Sequence, residues 1–161
     1  MLGTRLFDGH PSSLNDHHIL LRTQTCRNVG GAVGTGQAQR VLIVDDERMV
    51  SETLAHIFRR QGYEVQNALS AEQALEILSS WAPEIAIVDV SLPGMNGVEL
   101  AILLASQFPK CRLLLFSGRP DSGHLVAQSA EKGKFFELIA KPVHPKLLLD
   151  WAAGNLPRPA E

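Results

Sequence analysis

Five short strand-like runs alternate with amphipathic stretches, and this alternation limits what the chain can fold into more than any other feature. The runs are Val41–Val44, Tyr63–Val65, Ile85–Val88, Leu113–Phe116 and Phe135–Ala140. Three of them, Val41–Val44, Ile85–Val88 and Leu113–Phe116, are apolar at consecutive rather than alternate positions. Such a strand is covered on both faces, as in a parallel sheet lying between two layers of helices. The stretches between carry apolar residues at helical spacing. Val50, Leu54, Ile57 and Phe58 precede Gly62; Ala71, Ala74, Leu75 and Leu78 follow a Ser70 cap and precede Pro83. A third helix is expected over Val98 to Phe108, and a last one over His144 to Ala153 with Leu147, Leu148, Trp151 and Ala152 inward. Pro120 to Lys132 is the least regular helix, with Gly123 inside it and Leu125, Val126 and Ala130 to bury.

Strand-helix repetition of this kind predicts an α/β fold. Right-handed crossovers leave few ways to wind it, and the simplest is a doubly wound five-stranded parallel sheet in order 2-1-3-4-5. The winding reverses between the first and third strands, and ligands in such sheets bind outside the carboxyl ends of the strands at that point.

Residues 1–39 are of different material. They are rich in Gly, Ser, Thr, Asn, Gln and His, show neither structural period, and read as a flexible arm ahead of a domain at 40–154 and a short tail at 155–161. The glycine-rich run Gly30 to Gly36 lacks a following Gly-Lys-Ser/Thr and precedes a strand, so it reads as linker and not as a phosphate loop. His10, His17 and His18 have no acidic or cysteine partner nearby in sequence and read as solvated. Cys26 and Cys111 show no metal or redox spacing and read as reduced thiols of a cytoplasmic protein. A net charge of -2 gives no basic face for nucleic acid, and Ile19 to Leu21 is too short for a signal-peptide core or a membrane span.

The chemistry gathers at the predicted carboxyl ends of the strands. Asp45 and Asp46 follow the first strand, Asp89 the third, Ser117 the fourth and Lys141 the fifth. Taken alone, Asp89 is either a helix cap or a reactive group at the rim of the sheet. Three carboxylates on one rim repel and raise one another's pKa unless a cation lies between them. A hard divalent ion suits oxygen donors, and Mg²⁺ takes one or two carboxylates with waters and a phosphate. The expectation is a Mg²⁺ site at Asp46 and Asp89, with Asp45 acting through a water. With the metal in place, Asp89 can be a carboxylate nucleophile that forms an aspartyl phosphate, while Lys141 and Ser117 meet phosphoryl oxygens. The absence of a strong general base among these residues suits transfer from an activated donor better than hydrolysis of a stable ester.

Asp45-Asp46, Asp89 with Leu92-Pro93-Gly94-Met95-x-Gly97, Ser117 and Lys141-Pro142 together resemble the receiver domain of bacterial two-component response regulators, over residues 40 to about 154. The resemblance implies a flavodoxin-like fold, Asp89 as phospho-acceptor, and Ser91 lending a main-chain carbonyl to Mg²⁺. It implies a histidine kinase or histidine phosphotransfer protein as donor. It further implies that phosphorylation draws the Ser117 hydroxyl inward and reshapes the face made by the fourth helix, fifth strand and fifth helix. The chain then reads as a stand-alone receiver, not an enzyme beyond its own phosphorylation and dephosphorylation. It would signal through an unidentified downstream protein, with homodimerisation left open and no direct contact with nucleic acid or membrane. Leu138 occupies the position where many receivers carry an aromatic switch residue, which favours a second reading, a protein-interaction module that works unphosphorylated. A haloacid-dehalogenase type of hydrolase is disfavoured, because Asp45-Asp46-Glu47 lacks the Asp-x-Asp spacing of that class.

Overall fold

Alternate residues of the central strands feed two separate cores, and this explains why their sequences are apolar throughout. The computed structural model describes residues 36–119, 122–131 and 136–155. Its elements in chain order are β1 (Arg40–Val44), α1 (Arg48–Arg60), β2 (Glu64–Ala68), α2 (Ala71–Leu78), β3 (Ile85–Asp89), α3 (Gly97–Gln107), β4 (Arg112–Ser117), α4 (Ser122–Glu131), β5 (Glu137–Ala140) and α5 (Pro145–Ala152). The five strands are parallel in the order β2-β1-β3-β4-β5, as the sequence predicts. Leu42, Val44, Ala86, Val88 and Leu115 point to one face and pack with Ala71, Ala74 and Leu78 of α2 and Leu100, Ala101 and Leu104 of α3. Val41, Ile43, Ile85, Ile87, Leu114 and Phe116 point to the other, against Leu54, Ala55 and Phe58 of α1 and Leu148, Trp151 and Ala152 of α5. Side chains alternate along a strand, so a strand with a core on each side has no position left for a polar residue.

The edge strands depart from the expected boundaries. β2 runs from Glu64 to Ala68 where Tyr63–Val65 was expected, because it pairs on one side only and keeps Glu64 and Gln66 exposed while burying Val65 and Ala68. β5 begins at Glu137, later than Phe135, and pairs only with β4, from Leu114↔Glu137 to Ser117↔Ala140. α4 is present as a helix from Ser122 to Glu131, and Val126 on it packs against the first core; Leu125 and Ala130 fall outside the described side chains. The histidines at 10, 17 and 18, Cys26, the glycines at 30, 31 and 34, and the expected arm as far as residue 35 lie outside the described residues, as do Pro120, Lys132, Phe135 and residues 156–161. Among the described residues no helix is long and apolar enough to cross a membrane.

Candidate functional site

β1 and β3 are neighbours, in register from Val41↔Ile85 to Val44↔Val88, so Asp45 and Asp89 emerge side by side where the sheet changes its direction of winding. One carboxylate oxygen from each of Asp45, Asp46 and Asp89 lies within 4.8 Å of the others. Asp45 is fully buried and Asp89 nearly so, whereas Asp46 faces solvent. β4 and β5 continue the rim. Asp89 pairs with Phe116 and Ser117 with Ala140, which sets Ser117 and Lys141 beside the carboxylates.

Lys141 closes the cluster. Its Nζ donates to Asp45 Oδ2 at 2.8 Å and to Asp89 Oδ2 at 3.0 Å. The same ammonium lies 4.4 Å from the centroid of the Phe116 ring, a cation–π contact on a side chain with no exposure. Burial pulls the Lys141 pKa down, but the hydrogen bonds to Asp45 and Asp89, with their charges, outweigh it and leave the ammonium above its ordinary value. Burial dominates at Asp45 and raises its carboxyl above the usual range, although Lys141 and the Glu47 amide, which donates to Oδ1 at 2.8 Å, pull it back.

The loop after β3 holds Asp89 from the other side. The Ser91 amide donates to Asp89 Oδ1 at 3.0 Å, so both carboxylate oxygens are oriented before any ligand arrives. Asp89 is not the cap of the helix that follows. That part belongs to Asn96, whose side chain accepts from the Glu99 amide while Glu99 accepts from the Asn96 amide, a reciprocal box spelled out by the Asn-x-x-Glu spacing. Gly97 then passes against the strand so closely that a Cβ there would lie 1.9 Å from the Asp89 carbonyl oxygen. Glu72 lies beside this loop, its Oε1 3.2 Å from where a Cβ on Gly94 would stand, and hydrogen bonding to its own amide first, then to the Ser70 hydroxyl and the Met95 amide, lowers its pKa.

Ser117 is buried at the carboxyl end of β4, as expected from the sequence, but its hydroxyl is engaged away from the carboxylates. Its Oγ accepts from the Arg119 amide at 3.1 Å and is hydrogen-bonded to the Ser122 hydroxyl at the start of α4. Leu138, at the position of the missing aromatic, is exposed, and Phe136 is half-buried against the first core. The structure therefore brings Asp45, Asp46, Asp89, Ser91, Ser117 and Lys141 to one rim. Phe116 and Ser122 were missed. Phe116 reads in the sequence as one more core residue, and Ser122 lies in the least regular helix, so neither carries a recognisable signal.

Three carboxylates and an ammonium at the switch point of a 2-1-3-4-5 sheet define a receiver-type α/β domain, and comparison with known proteins agrees. The family described as "Response regulator receiver domain" matches residues 41–153, and the chain belongs to that family, the receivers of two-component systems. The aerobic respiration control protein ArcA of Escherichia coli is 34% identical over 122 residues, which is 76% of this chain and 50% of that protein. A protein-glutamate methylesterase/protein-glutamine glutaminase of Paramagnetospirillum magneticum is 33% identical over 106 residues, 65% of this chain and 30% of that protein. The chain thus spans half or less of the length of these curated relatives. Among solved structures, a CheY-like receiver domain protein from Methanospirillum hungatei superposes with a TM-score of 0.65 at 26% identity, covering 73% of this chain and 93% of that one.

Proposed function

We propose that this receiver, residues 40–154, accepts a phosphoryl group on Asp89 from a histidine kinase or histidine phosphotransfer protein and signals through a protein-binding face. The observation that carries the reading is the placement of Asp89, buried at the switch point with Asp45 and Asp46 within 4.8 Å and Lys141 at 3.0 Å. A carboxylate needs no base to become a nucleophile. One Asp89 oxygen forms the new P–O bond as the bond from phosphorus to the donor breaks, and the donor group departs with the electron pair.

The oxygen-rich cluster fits a hard divalent ion, since three carboxylates gather where one ammonium pairs with Asp45 and Asp89 and Asp46 is open to solvent. Asp46, Asp89 and the Ser91 carbonyl would hold Mg²⁺, with Asp45 acting through a water. When bound, Mg²⁺ neutralises charge on the phosphoryl oxygens. Lys141 keeps Asp89 oriented and offers its ammonium to one phosphoryl oxygen, and Ser117 donates its hydroxyl proton to another. No other catalysis is assigned to the domain. The cytoplasm suits such a donor, and residues 1–39 and 155–161 are treated as arm and tail.

The test is intact mass after incubation with Mg²⁺ and acetyl phosphate, on the native chain and Asp89→Asn together. A single phosphoryl adduct on the native chain alone is expected, with the variant's circular dichroism unchanged. An adduct on Asp89→Asn would move the acceptor elsewhere. No adduct on either chain would favour the second reading, an unphosphorylated interaction module, which has the exposed Leu138 on its side.

A further inference from the structure

Ser122 carries the inference furthest. It is the first residue of α4. Its side chain meets the Ser117 hydroxyl, and both residues are only 4% exposed. Ser117 also accepts from the Arg119 amide, and the Ser122 amide donates back to the Arg119 carbonyl at 3.3 Å. Two buried hydroxyls and the Arg119 backbone thus tie the end of β4 to the start of α4.

A serine hydroxyl has one proton and two lone pairs. In this structure the Ser117 hydroxyl spends one lone pair on the Arg119 amide and is also bonded to the Ser122 hydroxyl. Its hydroxyl makes no hydrogen bond to Asp89 or Lys141 among the described residues, although its carbonyl accepts from the Lys141 amide at 2.8 Å. To donate to a phosphoryl group on Asp89, the Ser117 side chain has to rotate away from α4. That rotation leaves the buried Ser122 hydroxyl without its partner unless the first turn of α4 repacks.

We propose that Ser122 is a positioning residue that latches the Ser117 hydroxyl in its withdrawn orientation, so that exchange of the Ser117–Ser122 hydrogen bond for a Ser117–phosphoryl bond transmits the state of Asp89 to α4. The proposal rests on the Asp89 reading above and names its regulation. Without the latch, the withdrawn orientation of Ser117 is held by the Arg119 amide alone, so rotation toward Asp89 gives up one hydrogen bond fewer. The phosphorylation-competent orientation is then populated before phosphorylation, and the apparent rate of loading rises with that population.

The experiment measures the initial rate of phosphoryl loading from acetyl phosphate by intact mass, on the full chain with Mg²⁺, for Ser122→Ala, Ser122→Thr, Ser117→Ala and the Ser117→Ala/Ser122→Ala double variant. Ser122→Ala is expected to load about three- to tenfold faster than the native chain, the scale of one buried hydrogen bond in an equilibrium. Ser122→Thr, which restores a hydroxyl, is expected within about twofold of native. In the Ser117→Ala background, removal of Ser122 is expected to change nothing, because the latch already lacks its other half. Equal or slower loading in Ser122→Ala, or an effect that persists without Ser117, overturns the proposal and leaves Ser122 a structural contact. Should the alanine variant fail to melt cooperatively, Ser122→Cys, of similar size and a weaker hydrogen-bonding group, replaces it with the same expected direction. A native chain that takes no adduct removes the Asp89 reading and the latch with it, whereas a loaded chain with equal rates removes the latch alone.

Discussion

The two poles of the sheet use the same pieces to opposite ends. At the amino pole, Arg112 lies 4.5 Å from the Trp151 ring centroid and donates to the Trp151 and Ala152 carbonyls at 2.6 and 2.8 Å, closing the carboxyl terminus of α5. Trp151 Nε1 in turn donates to Glu137, Trp81 Nε1 donates to Glu64 at 2.8 Å, and the Arg40 amide donates to Glu84 at 3.0 Å. At the carboxyl pole Lys141 lies over Phe116 much as Arg112 lies over Trp151, yet it pairs with Asp45 and Asp89 in a cluster of three carboxylates, and among the described residues Asp46 has no ion pair. A matched set of charges and carbonyls needs nothing further and serves the fold. A surplus of negative charge at a buried rim is costly without a cation, and it marks where a ligand completes the structure.

The sharpest way to test that division is steric. Gly97→Ala at the carboxyl pole sets a Cβ 1.9 Å from the Asp89 carbonyl oxygen and 2.7 Å from its carbon, both backbone atoms that cannot step aside. A loss of about 3 kcal/mol or more is expected in urea unfolding, together with failure to load phosphate. A mild effect on both would mean that the loop after β3 is looser than its packing implies.

Arg112→Ala comes next. It removes two charged hydrogen bonds and the ring contact, and a loss of about 2 kcal/mol is expected. If the amino pole is purely structural, phosphoryl loading stays within about twofold of native at a temperature where the variant is folded. A large fall in loading would dissolve the contrast between the poles.

Lys141→Met should cost less, about 1–2 kcal/mol without metal, since Asp45 can take up a proton where its ammonium partner is gone. Saturating Mg²⁺ is expected to shrink that deficit, because a cation again sits among the carboxylates. A deficit indifferent to Mg²⁺ would mean that the cluster is an ion pair and not a metal site.

The smallest effect concerns Cys111. Burial, and after it the Glu84 charge, push this thiol from an ordinary 9.0 up to about 12. The folded chain keeps that proton while the unfolded chain loses it, so the contribution is neutral below pH 9 and stability falls as pH rises from 9 toward 12. In a Cys26→Ser background, alkylation by iodoacetamide at mildly alkaline pH is expected to be at least about a hundredfold slower than for an exposed thiol. Rapid alkylation would show the amino pole to open readily.

The carboxyl-pole residues were legible because each follows directly on an apolar run whose end is easy to find. Asp45, Asp89 and Ser117 needed only the strand ends and the winding order to meet on one rim. The edge strands were less legible, since the polar Gln66 and Asn67 continue β2 by pairing with β1 and Glu137 begins β5 with a polar residue. The Asn96–Glu99 box was present in the Asn-x-x-Glu spacing, and it leaves Asp89, which taken alone could be a cap or a rim group, to the rim. Phe116 offered no signal that separates a ring beneath an ammonium from any other core residue.

By itself the sequence determined the alternation of strand and helix, the parallel sheet and the identity of the acidic rim, because periodicity and strand ends are local properties of the chain. Tertiary structure alone decided which partner each rim group holds: Lys141 between Asp45 and Asp89, Phe116 beneath it, and Ser117 turned toward Ser122. Those choices depend on distances between side chains brought together from remote strands and on the burial that strengthens each hydrogen bond, and neither quantity is written in the order of residues.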